Sequence, residues 1–419
     1  MKLKKLTTAL ILATLPATGV FAAALDRSGQ SIAAFLQPGN YFEAGISVLD
    51  PDVSGTTLPA LGNQNTGDMA GDYYFPSAAL KLQLTDHFSF GLLYDQPFGA
   101  DAEYTQSVAF THPSQGNTSV EVDTQNISMI FGFQPTENWN IYGGGVYQTV
   151  KGNVHLRGAA YSVYGGYSGS TAAPATAIPA YDANIGEDSS AGWLAGFAYQ
   201  IPEIALKASL TYRSEIKHDI NVQETIVNPA NINLPTSIIA GYTDGSTEIT
   251  TPQSVNLDFQ TGIMTNTVAF ANLRWVNWKD FSIRPDKFGQ LATALTKAGQ
   301  VPGKTNGFDL VAYSDDQINA TVGVGRKLND KWAGNVSVGW DSGAGNPVTT
   351  LGPTEGYWNV GLGMQYSPAA NYFIAGGVKY FWLGDADAQS GAQFGTPATV
   401  AKFEDNTAWA YGLKIGYRF

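Results

Sequence analysis

The sequence predicts an all-β fold: a 14-stranded antiparallel transmembrane β-barrel with a short N-terminal plug segment. Three observations carry this. Residues 407–419 alternate: Trp409, Tyr411, Leu413, Ile415, Tyr417 and Phe419 share one side of an extended strand, and Ala408, Ala410, Gly412, Lys414, Gly416 and Arg418 share the other. Aromatic ends, an apolar middle and a small or cationic inner face suit a strand with lipid on one side and a lumen on the other. Residues 1–24 then supply a basic start (Lys2, Lys4, Lys5), an apolar stretch broken by Pro16, and the small residues Ala22, Ala23 and Ala24. That is the pattern of a secretory signal peptide, too short for a membrane anchor and expected to be absent from the mature chain. The third observation is composition: no cysteine, 47 glycines, 21 tyrosines, 21 phenylalanines and only 14% charged residues. A large exported chain without disulfides must stabilise itself by buried surface. In a barrel, lipid-facing and lumen-facing residues average out, so no window reads as a membrane span.

Taken in order, residues 25–40 precede the first alternating run and form either a short hatch inside the barrel or a periplasmic tail. The barrel occupies 41–419. Strand one is expected at 41–49, strand two at 78–84 and strand three from Phe88, with Phe88, Phe90, Leu92 and Tyr94 on one face. Gln96, Pro97, Phe98 and Gly99 interrupt strand three. Proline cannot donate to the ladder and glycine weakens it, so this stretch implies either a break in the wall or the end of the strand. Further strands are expected at 120–133, 139–151, 191–201, 204–216, 251–260 and 267–278, with a long, unusually apolar loop at 158–190 and a long, mostly uncharged one at 219–250. Phe288, Leu291 and Leu295 give helical spacing to residues 286–298. Strands at 317–327, from Trp332, at 357–366, at 372–383 and at the C-terminus complete the fourteen. Long and short connections alternate, which places both termini on the short-turn side, the periplasm, of a Gram-negative outer membrane.

Little in the chain suggests catalysis. The four histidines, His87, His112, His155 and His218, have no metal-ligand spacing, and there is no Gly-x-Ser-x-Gly or phosphate loop. Enzyme, metal and cofactor readings are therefore set aside, and the net charge of −12 argues against nucleic acid. Transport of hydrophobic small molecules accounts for more. A break at Gln96, Pro97, Phe98, Gly99, Ala100 and Asp101 would open a side door at membrane depth. Apolar outer loops would make a collecting surface. Lys151, Arg157, Lys207, Arg213 and Lys414 are candidates to pair with a carboxylate head group, the alternative being a solvated lumen wall.

Several stretches resemble the FadL family of outer-membrane long-chain fatty acid and hydrocarbon transporters. They are Leu49-Asp50-Pro51-Asp52-Val53, Pro97-Phe98-Gly99 with Tyr104 beyond it, Leu210-Thr211-Tyr212-Arg213-Ser214-Glu215-Ile216-Lys217, and Val276-Asn277-Trp278-Lys279-Asp280-Phe281. The resemblance implies a barrel with an N-terminal hatch, capture of a ligand in an outer groove drawn from residues 158–190 and 219–250, and lateral release through residues 96–101. It implies long-chain fatty acids as the leading cargo, with aromatic hydrocarbons as the alternative within the family and a general diffusion porin outside it. No cofactor is implied, and a monomer in contact with outer-membrane lipid is expected. The chain departs from the family pattern in its hatch, which has only about sixteen residues before strand one and carries Gln37-Pro38-Gly39-Asn40 in place of an Asn-Pro-Ala element.

Overall fold

The computed structural model describes residues 24–161, 180–227, 245–297, 301 and 303–419. The expected signal peptide lies outside them except for Ala24, as do residues 162–179 and 228–244 of the two expected long loops. Fourteen strands close into an antiparallel barrel. They are β1 (Tyr41–Asp52), β2 (Tyr73–Gln83), β3 in two pieces (Phe88–Asp95 and Gly99–Glu103), β4 (Ser119–Phe133), β5 (Trp139–Leu156), β6 (Ala180–Ile201), β7 in two pieces (Leu206–Arg213 and Ile216–Val227), β8 in two pieces (Gly245–Thr251 and Ser254–Met264), β9 (Thr267–Val276), β10 (Gln317–Lys327), β11 (Trp332–Asp341), β12 (Tyr357–Ala369), β13 (Tyr372–Leu383) and β14 (Thr407–Arg418). β14 pairs with β1, Arg418 opposite Tyr41, and this closes the wall.

Alternation decides which face each residue takes. Trp409, Tyr411, Leu413, Ile415 and Tyr417 are exposed on the outside, as are Trp332, Val336, Val338 and Trp340 of β11 and Ile127, Met129, Phe131 and Phe133 of β4. These residues form the apolar belt that lipid requires. Two buried apolar clusters fill the inside. The larger lies toward the long loops and includes Phe98, Tyr104, Trp278, Phe288 and Phe403. The smaller lies toward the short turns and includes Ile32, Phe35, Leu93, Ile130, Tyr142 and Leu194.

Strand lengths correct the sequence reading on one side of the barrel. β5, β6, β7 and β8 run past the expected ends at 151, 191, 216 and 251, so much of what reads as loop at 180–190, 219–227 and 245–250 is strand. In this extension the outward residues turn polar (Lys151, Asn153, Asn184, Lys217, Asp219), while the inward ones stay apolar (Val150, Val154, Ala183, Ile185, Ile220, Val222). The wall continues beyond the lipid belt, and the loss of outward apolarity makes the stretch look like loop. At the other extreme β9 stops at Val276 rather than 278, and Trp278 turns inward with no exposure. Helix α1 (Asp286–Lys297) forms where the spacing predicts. Its first turn is capped by Glu224, whose carboxylate accepts from the Lys287 and Phe288 backbone N–H groups at 2.7 and 2.8 Å. Phe288, Ala292 and Leu295 face inward.

Candidate functional site

β3 is bent where its sequence requires it. Its first piece pairs with β4 up to Asp95 opposite Asn126, and its second resumes at Gly99 opposite Asp123. Between them Pro97 offers no N–H, and the Thr124 hydroxyl satisfies Phe98 instead, accepting from its N–H at 2.9 Å and donating to its carbonyl at 2.7 Å. On the other edge, β2 pairs with β3 only from Ala78 opposite Tyr94 to Gln83 opposite Ser89, although β2 runs on to Tyr73 beside β1. Over residues 73–77 the wall therefore lacks its ladder to β3. Part of the gap is tied by the Tyr73 hydroxyl, which accepts from Asp101 N–H at 2.5 Å and donates to the Asp101 carbonyl at 2.9 Å. The N-terminal segment also reaches it: Gly99 N–H donates to the Leu25 carbonyl at 2.9 Å and Arg27 N–H to the Pro97 carbonyl at 2.6 Å. Phe98 turns into the barrel with its ring edge-on to Trp278 at 5.5 Å, and Phe281 and Tyr313 flank that indole at 5.1 and 5.2 Å. Of the six expected door residues, Pro97, Phe98, Gly99 and Ala100 are buried, Gln96 is half-buried and Asp101 is exposed.

Residues 24–40 cross the inside of the barrel at the level of this bend. Arg274 of β9 forms a two-pronged ion pair with Asp26, at 2.8 Å from Nε and 3.2 Å from Nη2, both side chains being essentially inaccessible. The same guanidinium donates to Asn256 Oδ1 at 2.7 Å and Gln30 Oε1 at 3.1 Å. Arg213 donates to the Gln30 carbonyl at 2.9 Å, Asn256 to the Gly29 carbonyl at 2.8 Å, and the Ser28 hydroxyl to Asp95 at 2.6 Å. Burying charges in this way is tolerable only because each has several partners. The result is a polar belt between the two apolar clusters. Closer to the short turns, Phe35 lies over Gly91 and Gly132, where an added Cβ would come within 2.4 and 2.8 Å of its ring, and meets Tyr142 edge-on at 5.6 Å. Lys207 donates to the Leu36 carbonyl and Lys81 to the Gly39 carbonyl, both at 2.8 Å.

At the long-loop end a partly enclosed pocket is lined by Tyr181 and Ile226 of the barrel extension, Phe288, Leu291 and Leu295 of α1, and Phe308, Leu310 and Leu351 of the loops. Tyr161, Tyr181, Thr350 and Ser390 are its hydroxyl-bearing residues, and no charged side chain is among its described lining residues.

The five cations expected from sequence do not converge. Arg213 and Lys207 face the lumen but bind carbonyls of the N-terminal segment. Arg157 is held by Asp182 at 2.5 Å and by the Tyr181 and Gln115 carbonyls. Lys414 pairs with Glu43 at 3.0 Å near the short-turn end. Lys151 departs from the expectation: it lies on the outer face, half exposed, 3.4 Å from Asp123, because it shares parity with Trp139, Ile141 and Tyr147. Sequence reasoning missed Asp26, Gln30, Asn256 and Arg274. The available signal was Arg274 standing between the outward Leu273 and the half-buried Trp275, which marks it as inward.

No curated protein matches the chain by sequence. Solved structures do share its fold. A Pseudomonas aeruginosa FadL homologue superposes with a TM-score of 0.71 at 14% identity, over 97% of this chain and 96% of that one. The Pseudomonas putida toluene transporter TodX gives 0.61 at 14% identity over 92% and 91%, and the Ralstonia pickettii toluene transporter TbuX gives 0.59 at 13% over 97% and 96%. At these identities the likeness speaks to the barrel alone. The outer membrane protein transport protein family (OMPP1/FadL/TodX) matches residues 24–419. With nearly the whole chain matched, the protein belongs to this family of outer-membrane transport proteins.

Proposed function

We propose that the protein takes up hydrophobic small molecules by passive diffusion, with the outer pocket as capture site, residues 25–40 as a plug, and the bend in β3 as a side exit into the membrane. One observation carries the reading: the polar, hydrogen-bonded belt built by Asp26, Gln30, Asn256 and Arg274 crosses the lumen at the level of the bend. An apolar molecule moving down from the pocket would have to shed those bonds to continue along the axis, at a cost of about 1–3 kcal/mol for each group left unpaired. The exit beside Phe98 asks that the short pairings to Leu25 and Arg27 and the Tyr73–Asp101 bonds give way. The same belt argues against a general diffusion porin, whose lumen would be open.

Between the two cargo classes, the geometry favours neutral hydrophobic compounds, aromatic hydrocarbons among them, over long-chain fatty acids. A carboxylate head group needs a cation, and the five expected ones are held by protein partners. None is among the described lining residues, and residues 162–179 and 228–244 contain no lysine or arginine. The two toluene transporters among the similar structures support the neutral class by analogy. In this account the signal peptide is removed, both termini lie in the periplasm and one chain suffices. Cells lacking their own outer-membrane hydrophobe transporters and expressing this protein should accumulate labelled toluene above the empty-vector control, and labelled oleate less so. Oleate uptake exceeding that of toluene would reverse the cargo assignment, and accumulation of neither by a surface-folded barrel would refute uptake.

A further inference from the structure

The bend in β3 is not the only discontinuity in the wall. β6 and β7 pair from Ile201 opposite Leu206 to Leu194 opposite Arg213, and again from Ile185 opposite Val222 to Ala180 opposite Val227. Between these stretches, residues 186–192 have no ladder to 215–221. The strands re-enter in the same register because each carries an irregularity that offsets the other. β7 breaks at Ser214 and Glu215, and β6 shifts against β5 between Ile185 and Asp188. In the seam the two strands run one residue out of phase, and side chains replace the backbone bonds. Asp188 Oδ2 meets His218 Nδ1 at 3.0 Å, and Ile216 covers Gly192, where an added Cβ would lie 2.6 Å from Ile216 Cγ1.

Position gives the seam its meaning. Its lower lip is Trp193 beside Tyr212, with ring centroids 5.1 Å apart. Trp193 is 52% exposed on the outer face, an aromatic pair of the kind found where lipid meets water. The seam opens upward from that interface. On the lumen side, Ile185 and Ile220 above the Asp188–His218 pair belong to the cluster that reaches the outer pocket, and Ile216 below it belongs to the smaller cluster. Between them lies a small polar patch: the pair itself, Gln148 at 3.0 Å from His218 Nε2, and Thr251 and Asn126 bonded to that Gln148.

We propose that the β6–β7 seam is a second side port, through which neutral hydrophobic molecules at the outer membrane–water interface, beside Trp193, reach the apolar interior, with Asp188 and His218 as its latch. The port rests on the uptake reading above. It follows from general energetics: paired strands must break consecutive backbone bonds to part, whereas a seam held by one Asp–His hydrogen bond and one apolar contact, above the Ser214–Trp193 bonds at its lower end, has few to break.

The protein has no cysteine, so a disulfide can lock the seam. Ser189→Cys with Lys217→Cys joins the two strands from the exposed face beside the latch, and Gln125→Cys with Thr149→Cys joins β4 to β5 across an intact ladder as the control. The oxidised seam lock should lower toluene uptake several-fold and recover on reduction, with the control unchanged and both barrels heat-modifiable. Asp188→Ala, which removes the latch without adding bulk, should raise uptake. Unchanged uptake in both the fully oxidised lock and Asp188→Ala would overturn the port. Gly99→Arg in the same cells separates the two claims. If it abolishes uptake while the lock does nothing, only the second port fails; if both variants transport normally, the bend in β3 fails as the exit together with the port, and if neither they nor the unaltered protein accumulates toluene, the uptake reading itself fails.

Discussion

Replacing Arg274 by methionine removes the one group that ties Asp26, Gln30 and Asn256 together, while keeping most of the side-chain volume. Asp26 is then left buried and without its counter-charge, and breaking one partner of a buried ion pair costs about 3–5 kcal/mol. The cost falls on the closed arrangement, because an N-terminal segment that leaves the belt returns Asp26 to water. At about 1.4 kcal/mol per tenfold change, the closed-to-open ratio should fall by roughly two to three and a half orders of magnitude. The assay is conductance in planar bilayers, together with trypsin cleavage after Arg27, which is 3% exposed in the closed state. Arg274→Met should conduct and be cut, and adding Asp26→Asn should restore much of the closed behaviour by removing the stranded charge. A heat-modifiable Arg274→Met barrel that neither conducts above wild type nor is cleaved would refute the view that this pair holds the segment in the lumen.

Three other outcomes follow from the packing and the electrostatics. Gly91→Leu places bulk where Phe35 lies, so overpacking of about 1–3 kcal/mol should expel residues 33–36 and expose them to protease without unfolding the barrel. Trp278→Ala opens a cavity beside Phe98, at a cost of about 3–5 kcal/mol, and should speed hydrogen exchange at residues 98–100 more than at 128–132. Glu355, in the loop after β11, has its carboxyl pushed up to about 7 by burial, although Gly345 N–H donates to it at 3.1 Å. Because the folded loop binds this proton more tightly than the unfolded chain does, its stabilisation is full below the ordinary carboxyl value and is lost as pH rises through about 7. The change is at most about 3 kcal/mol. Exchange at residues 343–356, corrected for intrinsic rate, should accelerate between pH 5 and 8, and Glu355→Gln should remove that dependence.

The barrel was legible because lipid on one side and side chains on the other impose a strict two-residue period, which survives without any knowledge of partners. β14 and β11 could be read almost residue by residue. The extensions of β6 and β7 were not legible as strand, because above the lipid belt the outward face turns polar and only the inward half of the period remains. Residues 25–40 were harder still. They have no period, and their positions are set by Arg274, Arg213 and Asp95, each far away in sequence. Pro97 and Gly99 announced the bend locally, but not that Tyr73, Thr124 and Leu25 would take up the orphaned backbone groups. For the cations, parity placed Lys207 and Arg213 inward and, had it been applied to β5, would have placed Lys151 outward. What parity could not tell is that Lys207, Arg213 and Arg274 would be consumed by the protein's own carbonyls and carboxylates.

The most direct test of lateral exit is toluene uptake by cells expressing Gly99→Arg. A Cβ at Gly99 would sit 3.0 Å from the Val122 carbonyl and 3.8 Å from Arg27 Cγ, so a long side chain there fills the space through which cargo would leave. With the barrel confirmed folded at the surface, uptake should fall to the empty-vector level. Uptake equal to that of the unaltered protein would mean that the bend in β3 is not the way out.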